Sequence, residues 1–119
     1  MELKYYNEHE LKQEAHFLEA HVFYGLENLN DGFDTESIYY FSESDFEIVI
    51  DRVEKYGIAI FGIEPWLNRD FYDVISFEKY RTVANDPKWY RKAFSVFKGK
   101  RKNFMYSASY QVPKKWLKQ

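Results

Sequence analysis

Residues 42–66, SESDFEIVIDRVEKYGIAIFGIEPW, decide the fold because they contain the signals of a complete helix followed by a complete strand. Ser42 is a typical helix cap, and the acids of the first turns suit the positive end of a helix dipole. Apolar side chains then recur at helical spacing and predict one buried face: Phe46, Val49, Ile50, Val53 and Tyr56. Gly57 ends the helix, and the apolar residues 58–63 predict a strand covered on both faces. Pro65 is expected to stop this strand from pairing further.

Before this unit the sequence predicts a helix, an acidic loop and a short strand. Asn7 and Glu10 have the spacing of a capping box. An apolar stripe follows at helical spacing: Leu11, Ala15, Leu18 and Val22. These signals predict a helix over residues 8–24 that stops at Gly25, although residues 23–24 are also compatible with an extended end. Residues 27–36 have the composition of a loop, and residues 37–41 that of a short strand.

After this unit the sequence predicts a strand, a helix and a second strand. Residues 71–77 are expected to pair antiparallel with residues 58–63. Asp86 and Pro87 predict a helix start, with a helix that runs to Gly99. Residues 103–112 alternate between apolar and polar side chains, as in a half-buried antiparallel strand. The order α-β-α-β-β-α-β predicts a single α+β domain over residues 1–119, with three helices on a mostly antiparallel sheet of about four strands. The basic tail, residues 114–119, is expected to fray unless Trp116 docks.

Composition favours a cytoplasmic protein that does not enter a membrane. The 119 residues include no cysteine, which excludes disulfides, thiolate metal sites and cysteine nucleophiles. The first ten residues contain no apolar run, so we expect no signal peptide. The longest apolar run, residues 58–63, is too short to span a bilayer.

Charge is distributed very unevenly along the chain. Residues 1–78 contain 18 Asp and Glu against 5 Lys and Arg, whereas residues 79–119 contain 12 Lys and Arg against the single acid Asp86. Such asymmetry indicates either an acidic face for a basic partner or a basic face for nucleic acid. The alternative is that folding interleaves the two halves and neutralises both.

No motif in the sequence predicts catalysis, a cofactor or a metal. The three histidines, His9, His16 and His21, all lie in the first predicted helix, and none forms an i, i+4 pair. Glycine-rich phosphate loops and a GxSxG nucleophile motif are also absent from the sequence. We therefore expect a non-enzymatic protein. An enzyme with a pocket lined by Trp66 and the carboxylates near it ranks third, after the two kinds of binding protein described next.

Two groups of residues are candidates for a binding surface. The first group is predicted to bind a protein partner that has a basic surface. It combines loop acids with residues in and near a proline-aromatic turn: Glu27, Asp31, Asp34, Glu36, Glu64, Trp66 and Asp70. The second would bind nucleic acid by combining basic side chains with stacking rings: Lys98, Lys100, Arg101, Lys102, Tyr106 and Tyr110.

Three segments resemble small immunity proteins of bacterial polymorphic and contact-dependent-inhibition toxin systems. They are residues 39–66, YYFSESDFEIVIDRVEKYGIAIFGIEPW, residues 86–94, DPKWYRKAF, and residues 106–113, YSASYQVP. The resemblance implies a cytoplasmic, single-domain, non-enzymatic protein that binds one cognate toxin tightly, often over the toxin's active site. Binding residues vary between members of such families, so the resemblance assigns no position in this chain.

Overall fold

Strand β1 (Ala59–Leu67) lies at the centre of the sheet in the computed structural model, which describes residues 6–117. On one edge it pairs antiparallel with β4 (Met105–Gln111). On its other edge it pairs, also antiparallel, with two short strands, β2 (Asp70–Phe71) and β3 (Ile75–Ser76). Together with three α-helices among the described residues, this antiparallel sheet confirms the predicted α+β class.

β1 continues through Pro65, so the expectation that this proline ends the pairing is wrong. Pro65 is buried and lies opposite Tyr106 in the ladder with β4. A proline lacks the N–H donor but keeps its carbonyl, and the carbonyl of Pro65 accepts a hydrogen bond from the Tyr72 N–H at 3.1 Å. The strand therefore extends to Leu67 and carries Glu64 and Trp66 within the sheet.

The predicted strand over residues 71–77 pairs with β1 but is split in two. The register of β2 and that of β3 against β1 differ by one residue. Between them, the carboxylate of Asp73 accepts a hydrogen bond from the N–H of Val74 at 2.8 Å. This local bond competes with the ladder and accounts for the break.

Residues 37–41 contribute a single bridge rather than the predicted strand. Phe41 and Tyr106 exchange two backbone hydrogen bonds, at 2.9 and 2.8 Å, along the free edge of β4. Residues 35–38 form a turn instead, in which the Ile38 N–H donates to the Thr35 carbonyl at 3.0 Å. Pairing therefore begins only at the last residue of the predicted strand.

Helix α1 (Glu8–Phe17) continues as a π-helical turn (Leu18–Val22). Both hydrogen bonds of the predicted capping box between Asn7 and Glu10 are present. The predicted apolar stripe is not buried as expected, because only Val22 at its end lies in the core, and Leu11 is 52% exposed. A π turn takes up an extra residue, so it rotates Val22 away from the line of the preceding stripe.

Helices α2 (Glu43–Tyr56) and α3 (Pro87–Lys100) cover one face of the sheet and enclose the core. The ring of Tyr106 on β4 stacks on Phe46 of α2 at 5.2 Å between centroids and meets Phe94 of α3 edge-on at 5.0 Å. Alternation along β1 directs Gly62, Glu64 and Trp66 to the opposite face. The candidate surface described below lies on that opposite face.

The end of the chain docks as far as it is described. Lys114–Trp116 form a 3₁₀ turn, and Leu117 is buried. The Trp116 indole N–H donates to the Tyr56 carbonyl at 2.8 Å, and its ring stacks on Phe17 at 5.8 Å. The condition set for the tail, docking of Trp116, is therefore met for residues 114–117, and residues 118–119 lie outside the described part.

Candidate functional site

The acidic loop folds back onto the hairpin between β1 and β2. Asp31 of the loop forms an ion pair with Arg69 in the hairpin turn. The ring of Phe33 lies 5.9 Å from the ring of Trp66 on β1. These two contacts bring residues more than 30 positions apart onto one surface.

Trp66 is the centre of this surface. Three rings surround it: Tyr40 at 5.3 Å, Phe33 at 5.9 Å and Phe71 at 5.9 Å between centroids. The Trp66 indole N–H donates to the Glu64 Oε1 at 3.2 Å. The bond fixes the indole and directs the Glu64 carboxylate along the same face of the sheet. A tryptophan that is held in one orientation loses little entropy when a partner covers it.

Tyr40 and Asp34 connect the loop to the sheet. The Tyr40 hydroxyl donates to the Asp34 Oδ2 at 2.5 Å, and Tyr40 is 1% exposed. Burial and the nearby Asp34 carboxylate raise the pKa of Tyr40 above its ordinary value. The bond from Tyr40, with that from the Thr35 N–H, holds the pKa of Asp34 below its usual range. Asp34 is therefore ionised at neutral pH and is fixed in place.

We call this region the acidic aromatic surface and define it by the following residues: Asp31, Phe33, Asp34, Glu64, Trp66 and Phe71. Phe71 is 51% exposed, and Phe33 and Trp66 beside it are half-buried. Exposed aromatic rings flanked by charged groups are typical of protein interfaces, in which a few rings supply most of the binding energy.

The structure brings four of the seven predicted protein-binding residues onto this surface and places the other three elsewhere. Asp70 lies opposite Leu67 in the β1–β2 hairpin, so it belongs to the other face of the sheet from Trp66. The Glu27 N–H lies 3.4 Å from the carboxylate of Asp45, in the first turn of α2. Glu36 lies in a groove beside Glu19. The loop separates them because the Asn30 amide donates to the carbonyls of Thr35 and Ile38, at 2.9 and 2.8 Å, and curls the segment between them.

The sequence analysis missed three of the rings around Trp66. Phe33 lies between Asp31 and Asp34, two of the four predicted loop acids, so its position was a usable signal. Tyr40 and Phe71 were assigned only to strands. Phe71 lies opposite Trp66 in the β1–β2 hairpin, whereas the contact of Tyr40 joins the sheet to a segment distant in sequence, for which the local pattern gives no sign.

The residues predicted to bind nucleic acid do not form one surface that combines basic side chains with exposed aromatic rings. Tyr106 is 0% exposed, and the hydroxyl of Tyr110 is buried without a hydrogen-bond partner among residues 6–117. Both rings belong to the core face of β4, so Tyr106 is not available to stack on a base and Tyr110 is half-buried against the core. Lys98 lies 3.5 Å from Glu47 and over the ring of Phe94. Lys100, Arg101 and Lys102 are exposed and form no ion pair with the described residues.

Folding interleaves the two charged halves in part. Arg91 of α3 pairs with Asp51 and Glu54 of α2 at 2.9 and 2.8 Å. Lys114 pairs with Glu10 at 3.3 Å. Arg69 adds one positive charge beside the three carboxylates of the acidic aromatic surface, Asp31, Asp34 and Glu64, so the net charge there stays negative.

The described part of the chain offers no grouping of three or more His, Asp or Glu side chains that could hold a metal ion. Within residues 6–117, every helix is too short or too polar to cross a membrane. The structure thus defines a small α+β protein with an acidic aromatic surface. Comparison of the chain with protein-family models, with curated proteins and with solved structures finds no match.

Proposed function

We propose that this chain is a non-enzymatic binding protein that neutralises a bacterial toxin domain by direct contact. The observation that supports the proposal is the acidic aromatic surface, in which three rings surround the indole of Trp66 and the Glu64 carboxylate holds its N–H. The resemblance of residues 39–66 to immunity proteins of toxin systems supports the same class of function but assigns no binding position. The protein would then act in the cytoplasm, without a cofactor.

The chemistry of the surface points to a cationic partner. Carboxylates at the rim attract a positively charged protein and raise its association rate, while the central rings slow its dissociation. A toxin that acts on nucleic acid has a basic active site because the site must attract phosphate. An acidic surface of this kind would compete for such a site.

The proposal is tested with the product of the gene that adjoins this coding sequence, expressed with and without this chain. We expect the neighbouring product to arrest growth alone and to form a complex with this chain that removes the toxicity. Asp31→Asn, Asp34→Asn and Glu64→Gln together should slow association and flatten its salt dependence, and Trp66→Ala should speed dissociation.

A matched control neutralises three exposed acids outside the surface: Glu8→Gln, Glu27→Gln and Glu78→Gln. The two triple variants carry the same net charge, so only a local role of the acidic aromatic surface separates their association rates. Equal rates for both variants, or a neighbouring product that does not bind, would argue against the proposal.

A further inference from the structure

The first part of the apolar stripe of α1 faces solvent instead of the core. Leu11 is 52% exposed, Ala15 is exposed and Leu18 is half-buried. Their spacing places them on one side of the helix, over about two turns. An amphipathic helix normally buries such a stripe, because each apolar side chain gains about 1.5–3 kcal/mol when it is fully covered.

The stripe opens into a groove of about 530 Å³ between α1, its π turn and residues 35–39. The floor and walls are largely apolar, and the ring of Phe23 stacks on that of Tyr39 at 4.5 Å. Six side chains of the groove matter for its chemistry: Ala15, Leu18, Glu19, Phe23, Glu36 and Tyr39.

Two carboxylates give this apolar groove a negative charge. The Tyr39 hydroxyl donates to the Glu19 Oε2 at 3.0 Å and holds that carboxylate beside the groove. Glu36 is exposed and forms no hydrogen bond or ion pair with its side chain among the described residues. A ligand that matches the groove has an apolar part and a positive charge.

We propose that this groove and the stripe of α1 bind a segment of a protein partner in which apolar side chains are flanked by Lys or Arg. Apolar side chains of the segment cover Leu11, Ala15 and Leu18, and its cations meet Glu19 and Glu36. The proposal concerns a surface other than the acidic aromatic surface and does not depend on the partner proposed for that surface.

Charge argues against a second copy of this chain as the occupant. Residues 8–19 contain four glutamates and one lysine, Lys12. A homodimer through the stripe would bring these acidic segments together, and juxtaposed like charges are unfavourable. The same acids favour a basic segment.

The test uses a synthetic amphipathic peptide of about 15 residues, built from Leu and Lys at helical spacing, and a counterpart with Glu in place of Lys. Amide chemical shifts of the ¹⁵N-labelled chain locate the peptide, and a titration gives its Kd. We expect the Lys peptide to change the amide chemical shifts of residues within 11–39 and the Glu peptide to leave those shifts unchanged.

Variants separate this groove from general attraction to an acidic protein. Leu11→Ser and Glu36→Lys should each raise the Kd of the Lys peptide by about fivefold. The matched controls, Val96→Ser on α3 and Glu78→Lys on the 3₁₀ turn Phe77–Tyr80, should leave its Kd unchanged. All four positions are exposed, and thermal unfolding checks that each variant is folded.

Three results would overturn the proposal. The first is equal weakening by the control variants, and the second is equal binding of the Glu peptide. The third is a concentration-dependent dimer in sedimentation that Leu11→Ser abolishes, because it would assign the stripe to a second copy.

Discussion

The ionisation of Glu14 is coupled to the fold. Its carboxylate on α1 accepts a hydrogen bond from the Val112 N–H at 2.8 Å, just beyond the end of β4. Burial raises the pKa of Glu14 above its ordinary value of 4.5, and the hydrogen bond from Val112 offsets this only in part. The folded chain therefore holds this proton more tightly than the unfolded chain.

Glu14→Gln is expected to stabilise the protein at neutral pH and to have little effect below pH 4.5. With the folded-state pKa above the unfolded value, the contribution of Glu14 to the free energy of unfolding is fully present below pH 4.5. It is lost as the pH rises through the folded-state pKa. Glutamine keeps an oxygen acceptor for the Val112 N–H and removes the titration. Urea unfolding over a pH series measures the difference between the two proteins.

Glu78→Gln is the control for this residue, because Glu78 is exposed and belongs to a different element. Its unfolding free energy should follow that of the parent protein across the same pH series. A Glu14→Gln variant that is less stable than the parent at neutral pH would contradict the account. The hydrogen bond to the charged carboxylate would then outweigh the cost of its burial.

At the scale of the elements, the glycines at the ends of α2 and α3 look alike in the sequence but differ in conformation. Gly57 caps α2 with a φ of 67°, in the left-handed region, whereas Gly99 lies within the last turn of α3. At neither position would an added Cβ meet another atom within 4 Å. Any difference between alanine variants therefore reports backbone conformation alone.

Gly57→Ala should lower the free energy of unfolding by about 1 kcal/mol, because an L-residue is strained in the left-handed region. Gly99→Ala should raise it by about 0.5–1 kcal/mol, because alanine restricts the unfolded chain and favours the helix. Guanidinium unfolding of the two variants provides the comparison, with each serving as the control for the other. If both substitutions change the free energy of unfolding in the same direction, the difference in backbone conformation between the two glycines does not determine their effect.

The elements that the sequence predicts well are those determined by neighbours along the chain. Ser42, Gly57 and Asp86 act as caps because their bonds close within a few residues, so these helix boundaries could be read locally. Pro65 and the stripe of α1 were misinterpreted for the opposite reason. Whether a proline pairs depends on β4 and residue 72, and whether a stripe is buried depends on the π turn after it.

At the scale of the whole molecule, the sequence predicts several residues of the acidic aromatic surface but does not predict how they come together in space. Asp31, Asp34, Glu64 and Trp66 were predicted from composition and turn chemistry. Their convergence depends on the loop folding over the β1–β2 hairpin, through contacts such as that between Asp31 and Arg69. The same loop geometry places Glu27 and Glu36 on other surfaces. A pattern of acids could not separate these two groups.

Folding also determines how far the acidic first half and the basic second half of the chain neutralise each other. Arg91, Lys98 and Lys114 of the basic half pair with acids of the first half, and such surface pairs contribute little to stability because solvent and salt screen them. Lys100, Arg101 and Lys102 form a short basic segment, and Lys102 shares a surface groove with Glu43. With the ring of Tyr106 in the core, this segment has charge without that stacking platform.

The whole molecule should therefore bind nucleic acid weakly and without saturation. Few phosphate contacts are available, so residual binding to single- or double-stranded oligonucleotides at about 50 mM salt should vanish near about 200 mM. Fluorescence anisotropy at the two salt concentrations measures this. The triple variant Lys100→Gln, Arg101→Gln, Lys102→Gln should remove the residual binding, and Trp66→Ala should leave it unchanged. Saturable binding at the higher salt concentration that the triple variant abolishes would instead favour a nucleic-acid-binding domain over the proposed function.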